Sequence, residues 1–338
     1  MKNKLSYFVS KVGVFGIGYF LLFKDNGKNA YISILLGTLI GICIIYFYDL
    51  IRKNLNNKYL TDSLKNTLIG NIYNVILVLF GLYLMCFTLL IITTFINSFY
   101  LIKTPRIIIL LSFTLLGIYL SFKEEKVMLD LSIPFFYFSI LIDIIFSTLL
   151  IPYNNFTNLL PIFNYNYLSI IKGSLIYAII TSIPLILTID YEDNFKNTLK
   201  NYLIASLMNT FIVFGIILSL GEPLLNIYRF PEYAVLKQIK ILDFIENIEN
   251  ISTFGWYTES FMLVSLIVTN IKKVLPRKHY KYSLSIIVFT SVILSSIFVG
   301  SNYEILLKIF YLHPIILGIF FIIFILLYFY LKFKKNNT

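Results

Sequence analysis

The chain has 338 residues, 58% of them hydrophobic and 13% charged, against about 45–50% and about 25% in ordinary soluble domains. At about 20 residues per crossing that content fills roughly ten bilayer spans, and it all but excludes a soluble enzyme, a nucleic-acid binder or a disordered regulator. The 28 Lys and Arg against 17 Asp and Glu leave a formal charge of +11, which in a polytopic chain is first a matter of topology.

Stretches with few or no charged residues mark out the spans in chain order. Val12–Phe23 is short and carries Gly13, Gly16 and Gly18; it runs on to Lys24 without a small-residue cleavage site, so it is expected to stay in the membrane. Ala30–Tyr48 is clean. Asn66–Ile102 is uncharged throughout and suits one long helix with polar ends. Ile107–Phe122 follows, then Val127–Ile151 with Asp130 and Asp143 inside it. Tyr167–Ile189 holds Lys172 near its start, and Tyr202–Leu220 is clean. Ile251–Ile271 contains Glu259, and Ser283–Asn302 and Ile309–Leu331 complete ten spans.

With the N-terminus cytoplasmic, the inside segments hold 19 of the 28 basic residues and the outside segments 8, Lys172 lying within a span. A miscounted span would invert the alternation downstream of it, so the split supports both the count and the orientation, with both termini inside. No nucleic-acid partner is needed to explain the charge. The predicted class is therefore an all-α polytopic membrane protein forming one integral membrane domain. Two five-span halves cover about 5–151 and about 167–332. The outside segment from about 221 to 248 has apolar residues at 236, 239, 242 and 245–248, the spacing of an amphipathic helix on the outer surface.

Enzymatic chemistry finds little to work with. His279 and His313 are isolated from any nucleophile pattern. Cys43 and Cys86 are far apart and lie mid-span, which suits no metal or redox site. No glycine-rich phosphate loop follows a strand, so neither a cofactor nor nucleotide-driven transport is expected.

Charges within spans are the sharper signal, because each is costly in hydrocarbon unless it meets a partner or water. Asp143, Lys172 and Glu259 are candidates for an ion or proton pathway. Lys172, about five residues into its span, can alternatively snorkel to the outer interface. It is also the nearest partner in depth for Glu259.

The glycines of span one weaken its helix and free backbone groups, unless they serve close helix packing instead. Span six has a counterpart, Thr181-Ser182-Ile183-Pro184, where Pro184 cannot donate to the helical ladder. Interrupted helices opening two equivalent halves point to a transporter-type binding site. Gly13, Phe15, Gly16, Gly18, Thr181 and Ser182 are accordingly the expected ligand-binding residues.

Several landmarks carry a family resemblance. They are Arg229-Phe230-Pro231, the run Ile239-Lys240-Ile241-Leu242-Asp243-Phe244-Ile245-Glu246-Asn247-Ile248-Glu249, and Gly255-Trp256. Lys103-Thr104-Pro105, Asn158-Leu159-Leu160-Pro161-Ile162 and Ile171-Lys172-Gly173-Ser174 extend it. With these the chain resembles the B subunit of bacterial spore germinant receptors, the endospore germination permeases of the amino acid–polyamine–organocation superfamily. Asn247 stands where the family usually has arginine. The resemblance implies a five-plus-five inverted repeat of the leucine-transporter type with helices 1 and 6 broken. It also implies a receptor in the spore inner membrane that binds a small nutrient, most often an amino acid, and acts with A and C subunits. The alternative is an amino acid or organic cation symporter of the same superfamily.

Overall fold

The computed structural model describes residues 3–55, 59–65, 67–161, 166–191, 195–225, 227–239, 249–275, 280–299 and 303–336. Among them every regular element is helical. Chain order gives α1 (Leu5–Val12), α2 (Ile17–Asn26), α3 (Ala30–Lys53), α4 (Leu60–Leu64), α5 (Leu68–Phe99), α6 (Arg106–Phe122) and α7 (Glu125–Leu150). It continues with α8 (Tyr167–Ser182), α9 (Phe195–Leu225), α10 (Pro231–Leu236), α11 (Glu249–Val274), α12 (Tyr280–Val299) and α13 (Tyr303–Asn336).

Among the described residues, six helical stretches are long and apolar enough to cross a membrane: Gly18–Lys53, Leu68–Phe99, Glu125–Tyr153, Tyr167–Thr188, Phe195–Leu225 and Ile305–Lys335. Arg106–Phe122 and Leu284–Ile297 are shorter apolar helices. Along α13 the exposed residues Ile315, Ile319, Ile322, Leu326 and Phe329 recur every three or four positions. They form one outward apolar stripe, a surface suited to lipid rather than water.

Local chemistry sets the helix ends. The Thr67 hydroxyl accepts the Gly70 N–H at 3.1 Å and so caps α5, filling one of the donors a helix start leaves open. The uncharged run read as one long helix is indeed α5, 32 residues from Leu68 to Phe99.

Both expected interruptions are present. The chain leaves α1 after Val12 and re-enters helix at Ile17, turning through Gly16 at φ 65° and ψ −71°. That left-handed backbone is open to glycine and costly for other residues. After Ser182 the helix tightens into a 3-10 turn, Ile183–Thr188, with Pro184 at its start, because proline supplies no N–H to continue an α-helix. α9 bends at Gly221 (φ 70°), ahead of Pro223.

The two interruptions lie against each other. A Cβ on Gly13 would collide with the Ile180 carbonyl, and one on Gly18 would sit 2.9 Å from Ile180 Cδ1. Glycine is therefore what lets the first interruption touch the end of α8. α3 also lies against α8, with Gly37 facing Tyr177.

The segment read as an outer surface helix is different in its described part. Gly221–Leu225 continues α9 beyond its kink, and Pro231, Glu232, Tyr233, Val235 and Leu236 of α10 are buried. Aromatic packing pulls α10 inward: Phe230 lies 5.2 Å from Phe95, and Tyr233 4.1 Å from Phe99, between ring centroids. Residues 240–248, which carry most of the expected amphipathic helix and of the family landmark run, lie outside the described residues, as does His279.

Candidate functional site

Lys4 at the N-cap of α1 and Tyr7 and Lys11 within it follow helical spacing, and Lys11 falls in the last turn. A cation there is favoured by the negative end of the helix dipole. On α7, Ser132, Ser139 and Asp143 share a buried face, and α11 brings Glu259 alongside, 2% exposed. The three helices place these groups together.

Lys11 Nζ donates to Asp143 Oδ2 and lies 3.8 Å from Glu259 Oε1. The Ser139 hydroxyl donates to Glu259 Oε1. Tyr7 OH lies 2.8 Å from Ser139 Oγ and donates to Asp143 Oδ2 at 3.4 Å. One ammonium thus serves two carboxylates, with two hydroxyls linking them.

With both carboxylates ionised this group of three carries one net negative charge, and a single added proton neutralises it. Separated charges in a dry interior are costly, and the arrangement reduces that cost only while all three remain together.

Two of the three expected pathway residues, Asp143 and Glu259, are therefore brought together. Lys172 is not their partner. It pairs with Asp25 at 2.9 Å, with its side chain 56% exposed against 3% for Lys11. Depth along the chain suggested Lys172, but depth does not fix which way a helix face points; the Lys172 face of α8 turns outward to Asp25 at the end of α2. Only the lysine of this pair is exposed; the Asp25 side chain is 16% exposed.

Among the expected ligand residues, Phe15 packs against Trp256 at 4.5 Å and Phe95 at 5.7 Å. Gly16 presents its N–H to Glu232 Oε1 at 3.0 Å. Thr181 and Ser182 are fully buried, yet their hydroxyls turn back onto Tyr177 and Ala178 carbonyls at 2.7 and 2.5 Å. Ser and Thr commonly back-bond in this way within helices. A polar chain runs nearby: Tyr19 OH donates to Asn209 Oδ1 at 3.2 Å, and Asn209 Nδ2 donates to Tyr177 OH at 3.3 Å.

Sequence reasoning missed Lys11, Tyr7, Ser139 and Glu232. For Lys11 a signal existed, since helix beginning at Leu5 places it two turns in, facing Tyr7. For Glu232 there was none, because it belongs to a segment that composition assigns to the outside.

A second charged group gathers where α4, α7 and the segment after the 3-10 turn meet the end of α11. Lys273 Nζ lies 3.3 Å from Glu125 and 3.9 Å from Asp190, and over the rings of Tyr59 and Tyr191 at 4.0 and 3.9 Å. The Asp190 Oδ1 accepts the Leu60 N–H at 2.7 Å. Burial pushes the Asp190 carboxyl above the ordinary carboxylate range, with Lys273 opposing it. His313 is held apart from both groups, hydrogen-bonded to Tyr83 OH at 2.7 Å and stacked 3.4 Å from Phe87.

Long apolar helices enclosing a buried charge cluster beside a broken helix define an integral membrane protein. Comparison with known sequences then gives the family. The spore permease family model, described as "Spore germination protein", matches residues 12–304. The chain belongs to this family of spore germination proteins. It is similar to "Spore germination protein XB" of Bacillus anthracis, 24% identical over 277 residues, which cover 75% of this chain and 74% of that relative.

Proposed function

We propose that the chain is the membrane-embedded, nutrient-sensing subunit of a germinant receptor in the spore inner membrane. It binds a small germinant, an amino acid, at the α1–α2 break opposite the end of α8, and ligand occupancy shifts the population between states. It acts with A and C subunits, and ion flux is one route by which the change of state triggers germination. The observation that carries this reading is the buried Lys11–Asp143–Glu259 cluster, which joins the first interrupted helix to α7 and α11.

The reading includes ten spans in a five-plus-five inverted repeat, with both termini cytoplasmic. The opposed breaks after α1 and α8 support the repeat, and the distribution of basic residues supports the orientation. Reporter fusions at Lys58 and at Asn155 are expected to report opposite sides of the membrane. Agreement between them would sink the topology.

The decisive experiment on the cluster is Glu259→Gln. Glutamine still accepts the Ser139 hydrogen bond but cannot ionise. Ligand-triggered germination, or ion release, is expected to fall about tenfold or more, the equivalent of about 1.4 kcal/mol, with protein level preserved. Lys172→Met, which removes an ion pair outside the cluster, is the control and should germinate normally. Normal germination of the Gln variant from about pH 6 to 8 would defeat the functional role.

The cluster's shortfall of one proton also favours a second reading, a symporter of the same superfamily that carries amino acids or organic cations by proton coupling. Neighbouring genes for A and C subunits favour the receptor, and uptake of labelled amino acid into vesicles favours the symporter.

A further inference from the structure

The α1–α2 break already contains a carboxylate. Glu232, at the start of α10, is fully buried, and its Oε1 accepts the Gly16 N–H at the N-terminal end of α2. This is the position a ligand's α-carboxylate would take if the freed amides of the break recognised it. The other oxygen, Oε2, is buried without a hydrogen-bond partner. A carboxylate oxygen in that condition is costly until a donor meets it.

The surroundings favour a positively charged donor. Phe230 lies against Gly16, its Cε1 2.8 Å from where a Cβ would stand. Phe15 and Trp256 pack together beside it, and aromatic faces attract ammonium groups. Lys11, the cation of the neighbouring cluster, is committed to Asp143 and Glu259. A primary ammonium is small, brings three donors and carries the complementary charge.

Resting on the ligand site proposed above, we propose that Glu232 is the specificity-determining residue of that site, its free oxygen receiving a primary ammonium group, so that the ligand's carboxylate is dispensable. The site is then selective for small primary amines, amino acids among them because of their amino end. α10 carries this selector into the break, and Phe230 and Tyr233, packed on Phe95 and Phe99, hold it there.

The test uses the full chain in lipid nanodiscs with three probes: L-alanine, L-alaninamide and propionate. Ligand-induced thermal shift and titration calorimetry read the binding. L-Alanine and L-alaninamide are expected to bind with comparable affinity and propionate not at all. Glu232→Gln keeps an acceptor for Gly16, so its unliganded melting point should stay near that of the natural chain. Its affinity for both ammonium probes should fall at least about tenfold.

Propionate binding as well as L-alanine would overturn the proposal, as would tighter or unchanged binding in the Gln variant; Glu232 would then be an internal stand-in that the ligand's carboxylate displaces. Failure of both ammonium probes to bind the natural chain would overturn it too. Germination of a Gly16→Leu strain separates this failure from that of the site itself. A lost response in that strain beside a normal one in Glu232→Gln leaves the site standing and removes only the selector.

Discussion

Lys11→Met is expected to be the most damaging single substitution in the interior. Methionine fills similar space but leaves Asp143 and Glu259 facing each other with no ammonium between them. Breaking a buried ion pair from one side costs about 3–5 kcal/mol, and here two like charges remain. The purified variant should melt several degrees lower, and spores carrying it should not respond to nutrient. Adding Asp143→Asn removes one of the stranded charges while keeping an acceptor for Tyr7. The double variant should recover most of the melting loss and none of the response. A single variant that melts and germinates normally would show that the cluster contributes neither stability nor function.

Gly16→Leu is expected to abolish the ligand response while the protein still inserts. Two costs fall on this position. The backbone sits at φ 65°, where a residue with a Cβ loses about 1–2 kcal/mol. The new Cβ also lies 2.8 Å from Phe230 and 3.3 Å from Ile91, so the α10 aromatic group must move. Gly16→Ala brings the same backbone cost with less bulk, and its response should be intermediate. Membrane fractionation checks insertion, and a nutrient dose–response checks function. An unchanged curve in the leucine variant would remove the break from the ligand site.

The parts of this architecture that sequence reveals are those governed by one-dimensional rules. Long uncharged runs become long helices, and α5 follows its run nearly end to end. Glycine and proline mark both interruptions, because the backbone conformations there depend on residue type alone. Asp143 and Glu259 stand out because a carboxylate in an apolar run is expensive wherever it points.

What sequence conceals is azimuth and re-entry. Lys11 sits where a flanking basic residue is ordinary, so its charge reads as topology until the helices are packed around it. Lys172 lies at a plausible depth for Glu259 but turns to Asp25. Thr181 and Ser182 have ligand-type hydroxyls, yet these bond to their own helix. Glu232 lies in a charged, proline-containing stretch typical of a loop, and only the aromatic packing of Phe230 and Tyr233 explains why it comes inside.

The separation of Lys11 from its partners bears on how the chain is made. Asp143 lies 132 positions after Lys11 and Glu259 further still, so Lys11 is synthesised before either partner. α1 has eight residues, about 12 Å of helix against a hydrocarbon layer of about 30 Å. Alone it can neither cross the bilayer nor shelter an ammonium, whose insertion at the centre costs about 2.5–3.5 kcal/mol. The Lys11 ammonium is therefore sheltered only when α7 and α11 stand beside it. The resting place of α1 thus depends on helices made well after it, and the finished cluster records that they arrived.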